Sequence, residues 1–214
     1  MRTRSVIVLA AVAVLFGGGA ARADYSFVFA DGSGNAQSNF TVAQGSTVDV
    51  RVYLVQSGTS TGLSSSGLAS GGVGLTFNQS VVNLADASKI TPNSAFDANS
   101  KNLGAGSASL NVSQVLNAPI TAPTTGTDAN RILLGTFTFS GVSAGTSLTV
   151  TADPHPGAVN DNVLGDGTAL DALIHNSSAV ITVTAVPEPG TLVLTGLLAT
   201  GMAAGVTRRL RRPA

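Results

Sequence analysis

The chain has 214 residues, 43% of them hydrophobic, which suffices for one packed domain plus targeting segments but not for two domains. Only 10% are charged, 25 are Gly and none is Cys; this suits short strands joined by turns, and excludes disulfides, thiolate metal sites, a cysteine nucleophile and a lipid-bearing cysteine. The net charge of zero divides unevenly: residues 24–185 hold Arg51, Lys89, Lys101 and Arg131 against ten Asp, a net −6 with no basic stripe for phosphates, which excludes nucleic-acid binding.

Residues 1–23 read as a secretory signal, with Arg2 and Arg4 as the positive start, Val6 to Phe16 as the apolar run and Ala21-Arg22-Ala23 as a small-x-small cleavage site. The mature chain is expected to begin near Asp24, leaving a domain over 24–185. Signal peptidase is the partner this segment implies.

The body alternates short β-type runs with Gly, Asn, Asp, Ser and Pro. Expected strands are Tyr25 to Ala30, Asn39 to Val42, Thr47 to Gln56, Gly72 to Asn78, Val81 to Leu84, Ser107 to Ser113, Arg131 to Ser140, Ser147 to Ala152 and Ala179 to Thr184. Period two is clearest in Thr47 to Leu54, which puts Val48, Val50, Val52 and Leu54 on a buried face and Asp49, Arg51 and Tyr53 on a wet one. Phe137 and Phe139 alternate with Thr136 and Thr138 and are expected in the core. Ser57 to Gly72 and Asn117 to Asn130 have the composition of flexible loops. An antiparallel β-sandwich follows.

Several landmarks come in an order similar to that of cohesin-like and carbohydrate-binding-module-like sandwiches. Gln44-Gly45-Ser46-Thr47-Val48-Asp49-Val50 resembles their first turn and strand. Gly72 to Asn78 with the return Val81-Val82-Asn83-Leu84 resembles a later hairpin, although Phe77-Asn78-Gln79 replaces the usual Tyr-Asp-Pro. Leu133 to Phe139 followed by Ala144 to Val150 resembles the closing strands. The resemblance covers Gln44 to Thr151 and implies a cohesin-like jelly roll; cohesins of cellulosomes bind dockerins, so a second surface protein is an implied partner.

Candidate chemistry in the body is sparse. Asp153, Asp161, Asp166 and Asp171 supply hard oxygens suited to Ca²⁺, but Asp161 to Asp171 lacks EF-hand spacing and its terminal glutamate, and the same residues build turns without an ion. No cofactor is expected. His155 lies between Pro154 and Pro156, and His175 follows Asp171 by four residues; neither is placed beside a legible nucleophile. The body has no Glu, so paired carboxylates for glycoside hydrolysis would have to be Asp alone, and the protein is expected not to be an enzyme. With no Trp and only Tyr25 and Tyr53, aromatic platforms for sugar are also scarce.

The tail, residues 186–214, runs Val186-Pro187-Glu188-Pro189-Gly190, then an uncharged stretch from Thr191 to Val206, then Arg208, Arg209, Arg211 and Arg212. As a helix at about 1.5 Å per residue, 191–210 would reach about 30 Å and could span a bilayer, with the arginines retained on the cytoplasmic side. This order resembles the PEP-CTERM sorting signal of Gram-negative and related bacteria. The resemblance implies processing by an exosortase that recognises Pro187, Glu188 and Pro189, retention charges at Arg208 to Arg212, and association with exopolysaccharide and biofilm. The expected protein is thus a non-catalytic surface or extracellular-matrix component, exported to the envelope or beyond and transiently anchored in the membrane by its C-terminal helix. Two alternatives stand beside it: a carbohydrate-binding module of the cell surface, and a permanently anchored single-pass protein with a cohesin-like protein-binding domain.

Overall fold

The computed structural model describes residues 24–145, 147–153 and 161–186. In chain order its strands are β1 (Asp24–Ala30), β2 (Asn39–Ala43), β3 (Thr47–Ser57), β4 (Leu68–Thr76), β5 (Val82–Asn83), β6 (Ile90–Pro92), β7 (Ala98–Gly104), β8 (Ser107–Ser113), β9 (Arg131–Gly141), β10 (Ser147–Asp153), β11 (Val163–Leu164), β12 (Ile174–His175) and β13 (Ser177–Thr184). They form two sheets. Sheet A runs β12-β1-β3-β9-β5, with β6 also on β9; sheet B runs β2-β13-β10-β4-β8-β7, with β11 also on β4.

The inner faces follow from alternation. Tyr25, Phe27 and Phe29 of β1 lie opposite Gln56, Leu54 and Val52 of β3, and Val50 lies opposite Phe137 of β9, so one side of sheet A is continuous apolar surface. Sheet B answers with Val73 and Leu75, Ala108, Leu110 and Val112, Val150 and Ala152, and Ile181 and Val183. The two meet in one core, where the rings of Phe77 and Phe139 stand edge to face at 5.2 Å. Each fully buried Phe or Leu contributes about 1.5–3 kcal/mol, so this interior carries the stability.

A bulge keeps β9 in phase with that core. Val52 pairs with Gly135 and Tyr53 with Leu133, so Leu134 is the extra residue. Ile132 and Leu134 point inward before it; Phe137 and Phe139 do so after it. Without the extra residue one of those two pairs would face outward. Gly135 stands at the bulge where a Cβ would collide with Leu110 Cδ2 and lie 2.7 Å from the Thr91 carbonyl oxygen.

Two features differ from a purely antiparallel jelly roll. The chain leaves sheet A after Ala30 and enters sheet B at Asn39, where β2 runs parallel to β13, and β12 runs parallel to β1. Strand β7 was not expected from its sequence, Ala-Asn-Ser-Lys-Asn-Leu-Gly, which lacks alternation; it is an edge strand paired to β8 alone and needs no buried side of its own.

The flanking helices require correction. The described helical segments are the four-residue turn α1 (Gly62–Ser65) and the three-residue 3-10 turns Ala87–Lys89 and Asp171–Leu173, and no described helix is long and apolar enough to cross a membrane. A span needs about 20 apolar residues. The architecture of a sandwich with signal and transmembrane helices, the membrane as a partner through such a helix, and the transiently anchored state are therefore corrected to an all-β body without a described spanning element. The expected signal residues Ala21 and Ala23, the stretch 191–210, Pro187, Glu188 and Pro189, and Arg208, Arg209, Arg211 and Arg212 lie outside the described residues. Asp24 opens β1, and Val186 stands two residues past the end of β13, 56% exposed.

The segment expected to be flexible between Ser57 and Gly72 is instead pinned. Leu63 of α1 is fully buried and its N–H donates to Gln56 Oε1 at 2.6 Å, while the buried Gln56 amide donates to Ser64 Oγ and to Asn130 Oδ1. Ala122 N–H donates to the Leu63 carbonyl, and the carbonyl of Ile120 accepts from Leu68, which ties the 117–130 segment to the same corner.

Candidate functional site

The outer face of sheet B is built from residues with little side chain. Positions 72, 74 and 76 of β4 fall on that face while Val73 and Leu75 fill the core, and β8 presents Ser107 and Ser109 beside them. Because Gly74 and Gly104 bring no side chains, a shallow cavity of about 230 Å³ opens between Thr76, Asn102, Ser107, Ser109 and Asp153. Hydroxyls and an amide ring an apolar floor, and among the described residues Asp153 is the one charge lining it.

Strand β10 ends at Asp153, just before Pro154, which has no N–H to donate. Among the described residues, pairing to β4 is next made by Val163 opposite Ser70. The fully buried side chain of Asn162 fills the gap like a strand residue: its Oδ1 accepts from Gly72 N–H and its Nδ2 donates to the Gly72 carbonyl, both at 3.1 Å. Nδ2 also donates to Asp171 Oδ1 at 2.9 Å. A primary amide carries a donor and an acceptor spaced like those of a peptide, which no carboxylate or alkyl group can reproduce.

This arrangement accounts for the four carboxylates considered for Ca²⁺. Asp171 is committed to Asn162, Asp161 Oδ1 accepts from Asn111 Nδ2 at 3.2 Å, and Asp166 accepts from Thr168 N–H and Ser66 Oγ. Those Thr168 and Ser66 contacts hold the Asp166 carboxyl below the ordinary carboxylate range. Asp153 stands apart at the sheet B cavity. Among the described residues no group of three His, Cys, Asp or Glu could hold a metal ion. His175 ends β12 beside Ser26, and His155 lies outside the described residues.

The outer face of sheet A is different, and its sequence reading needs a second correction. Tyr53, expected on a wet face, is 4% exposed. The Arg131 guanidinium lies over its ring at 4.2 Å, held there by Asp128 Oδ1 at 2.7 Å and by the Gly34 carbonyl at 2.8 Å. Tyr25 is 2% exposed, with its hydroxyl 2.9 Å from Ser60 Oγ. Neither tyrosine presents a ring to a sugar, which removes the aromatic platform from the carbohydrate-binding reading.

A third feature joins the β8 end to the segment before β7. Asp97 accepts from the backbone N–H groups of Val115, Leu116 and Asn117, and these bonds hold its carboxyl below the ordinary range against the opposing effect of desolvation. The clamp orders a turn whose Leu116 is 88% exposed.

No protein-family model matches the chain. No curated protein matches it either. Solved structures do: the CaDoc0917–CaCohA2 complex is 15% identical and aligns over 76% of this chain and 99% of that chain with a TM-score of 0.50. A cohesin module from a family 33 glycoside hydrolase of Clostridium perfringens is 13% identical over 77% of this chain and 99% of its own, with a TM-score of 0.49. A non-cellulosomal cohesin from the archaeon Archaeoglobus fulgidus is 11% identical over 78% and 94%, with a TM-score of 0.43. At such identities the likeness is one of fold, a cohesin-like β-sandwich.

Proposed function

We propose that this chain is a non-catalytic, exported binding module whose domain, 24–185, holds a protein partner on the outer face of sheet B. The observation that carries this reading is the glycine-floored cavity beside Asn102, Ser107, Ser109 and Asp153, set in a cohesin-like sandwich. A flat sheet face with a shallow apolar floor and a rim of hydroxyls and amides suits protein recognition: apolar contact supplies affinity and the rim fixes register. The dockerin in the matched complex supports a protein as the class of partner. On the same reading Asp24 begins the mature chain, and Val186, Pro187, Glu188 and Pro189 are the address read by an exosortase, with exopolysaccharide or a surface protein as the setting.

The test compares three forms of the full chain, wild type, the double variant Asn102→Arg with Ser107→Arg, and Thr47→Arg on sheet A, as baits against the producing cells' secreted proteins. All three altered side chains are exposed, so folding should be unaffected. One partner retained by wild type and Thr47→Arg but lost by the double variant is the expected result. Equal capture by all three forms would overturn the assignment of the face.

A further inference from the structure

The body's scarce cations are not scattered. Of the four among residues 24–185, Arg51 and Arg131 line one cavity of about 300 Å³ on the outer face of sheet A, remote from the face argued above. The β3–β9 ladder sets Arg51 opposite Thr136 and Arg131 opposite Val55, with Tyr53 on the same face between them, and the Arg131 guanidinium lies across the tyrosine ring. Three donors converge there: the point a Cβ on Gly34 would occupy is 3.2 Å from Tyr53 Oη, 3.5 Å from Arg51 Nη1 and 3.7 Å from Arg131 Nη2.

Two of those donors are unused. Among the described residues Arg51 has neither a hydrogen bond nor an ion pair, although it is only partly exposed. The Tyr53 hydroxyl has no hydrogen-bond partner there either, although the residue is 4% exposed. Arg131 spends Nε and Nη2 on Asp128 and Gly34 and keeps Nη1. Of the nearby carboxylates, Asp128 lines the cavity and is paired to Arg131, Asp49 accepts from Thr138 Oγ1, and Asp31 accepts from Ser33 and Asn35. A phenol hydroxyl and a half-buried guanidinium that reach solvent and have no partner among the described residues line one cavity, and such a pair of free donors suits an acceptor that carries negative charge.

We propose that this cavity binds the carboxylate of a small, singly charged organic acid. Arg51 takes the carboxylate through its planar edge, Tyr53 Oη donates to it, and Arg131 adds charge from a position locked by its stacking on the Tyr53 ring. Ile120 and Pro123 form the wall for the carbon skeleton. Selection against polyanions comes from the domain as a whole, whose net −6 over residues 24–185 repels a chain of charges while one local pair of guanidiniums accommodates a single one.

The test is an NMR titration of the full chain with D-glucuronate and with N-acetylglycine, which share the carboxylate and differ in skeleton, using D-glucose as the neutral control. Saturable shifts at Gly34, Arg51 and Arg131 are expected for the acids and none for glucose; the tighter acid identifies the preferred skeleton. Arg51→Gln, which keeps the stem, should weaken the acid at least about tenfold, the loss typical of a charge-assisted pair. Asp128→Asn, which frees Arg131, should tighten it several-fold. No saturable shift with either acid, or affinity unchanged in Arg51→Gln with native thermal unfolding, would overturn the proposal.

Discussion

The two outer faces of this sandwich begin from the same two-residue period and end in different environments. Of the β3 positions facing away from the core, Asp49 stays exposed, whereas Arg51 and Tyr53 are partly roofed by the turn around Gly34 and the segment from Ile120 to Asp128, so Tyr53 is buried and Arg131 is fixed upon it. On β4 and β8 the corresponding positions are Gly, Thr and Ser, and the face stays a shallow floor lined by Asp153. Alternation determines the side of the strand a residue takes; segments from elsewhere in the chain determine whether that side meets water.

The contrast can be broken at its strongest joint first. Replacing Asn162 by Leu leaves Gly72 N–H and C=O inside sheet B without their partner and removes the side-chain donor to Asp171 Oδ1, and should cost about 2–4 kcal/mol in denaturant unfolding, the penalty for buried polar groups left unsatisfied. A loss below about 0.5 kcal/mol would mean that Asn162 does not act as the missing strand residue. On the sheet A side, Gly34→Ala meets a φ of 90° and a Cβ 3.2 Å from Tyr53 Oη, and should cost about 1 kcal/mol by the same measurement, since a Cβ is strained in that conformation.

The smallest effect is one of pH and belongs to the Asp97 clamp. Its carboxyl is depressed chiefly by the N–H groups of Val115 and Leu116, so its contribution is complete above the unfolded value of 3.8 and is lost as the pH falls through the lower folded value. Amide exchange at Val115 to Asn117, corrected for intrinsic chemistry, should therefore quicken below about pH 4 and hold steady between about pH 5 and 7. A profile without that rise would show the turn to be held by something other than Asp97.

What could be read in advance follows the same division. The alternation of Val48 to Leu54, and of Phe137 and Phe139, placed both in the core because burial on one side of a strand repeats every second residue. The bulge at Leu134 was not legible, since it appears only when β9 is laid against β3. Strand β7 was invisible because an edge strand can be polar on both sides. Ser57 to Gly72 reads as a loop by composition, yet Gln56 and Asn130 anchor it through hydrogen bonds spanning up to 74 positions of chain. Asn162 stood among a group of Asp and Asn with the look of turn or cation chemistry; only its position opposite Gly72 reveals an amide replacing a strand.

By itself, then, the sequence determined an all-β body with an acidic surface, no disulfides and an interior of alternating aliphatic and aromatic residues, because those properties reside in composition and in a period of two. The tertiary structure alone decided that Arg51, Arg131 and Tyr53 share a cavity and that Asp161, Asp166 and Asp171 of the candidate Ca²⁺ carboxylates are each engaged by a different partner. Those facts depend on register and on contacts between residues far apart in the chain, and no local pattern carries them.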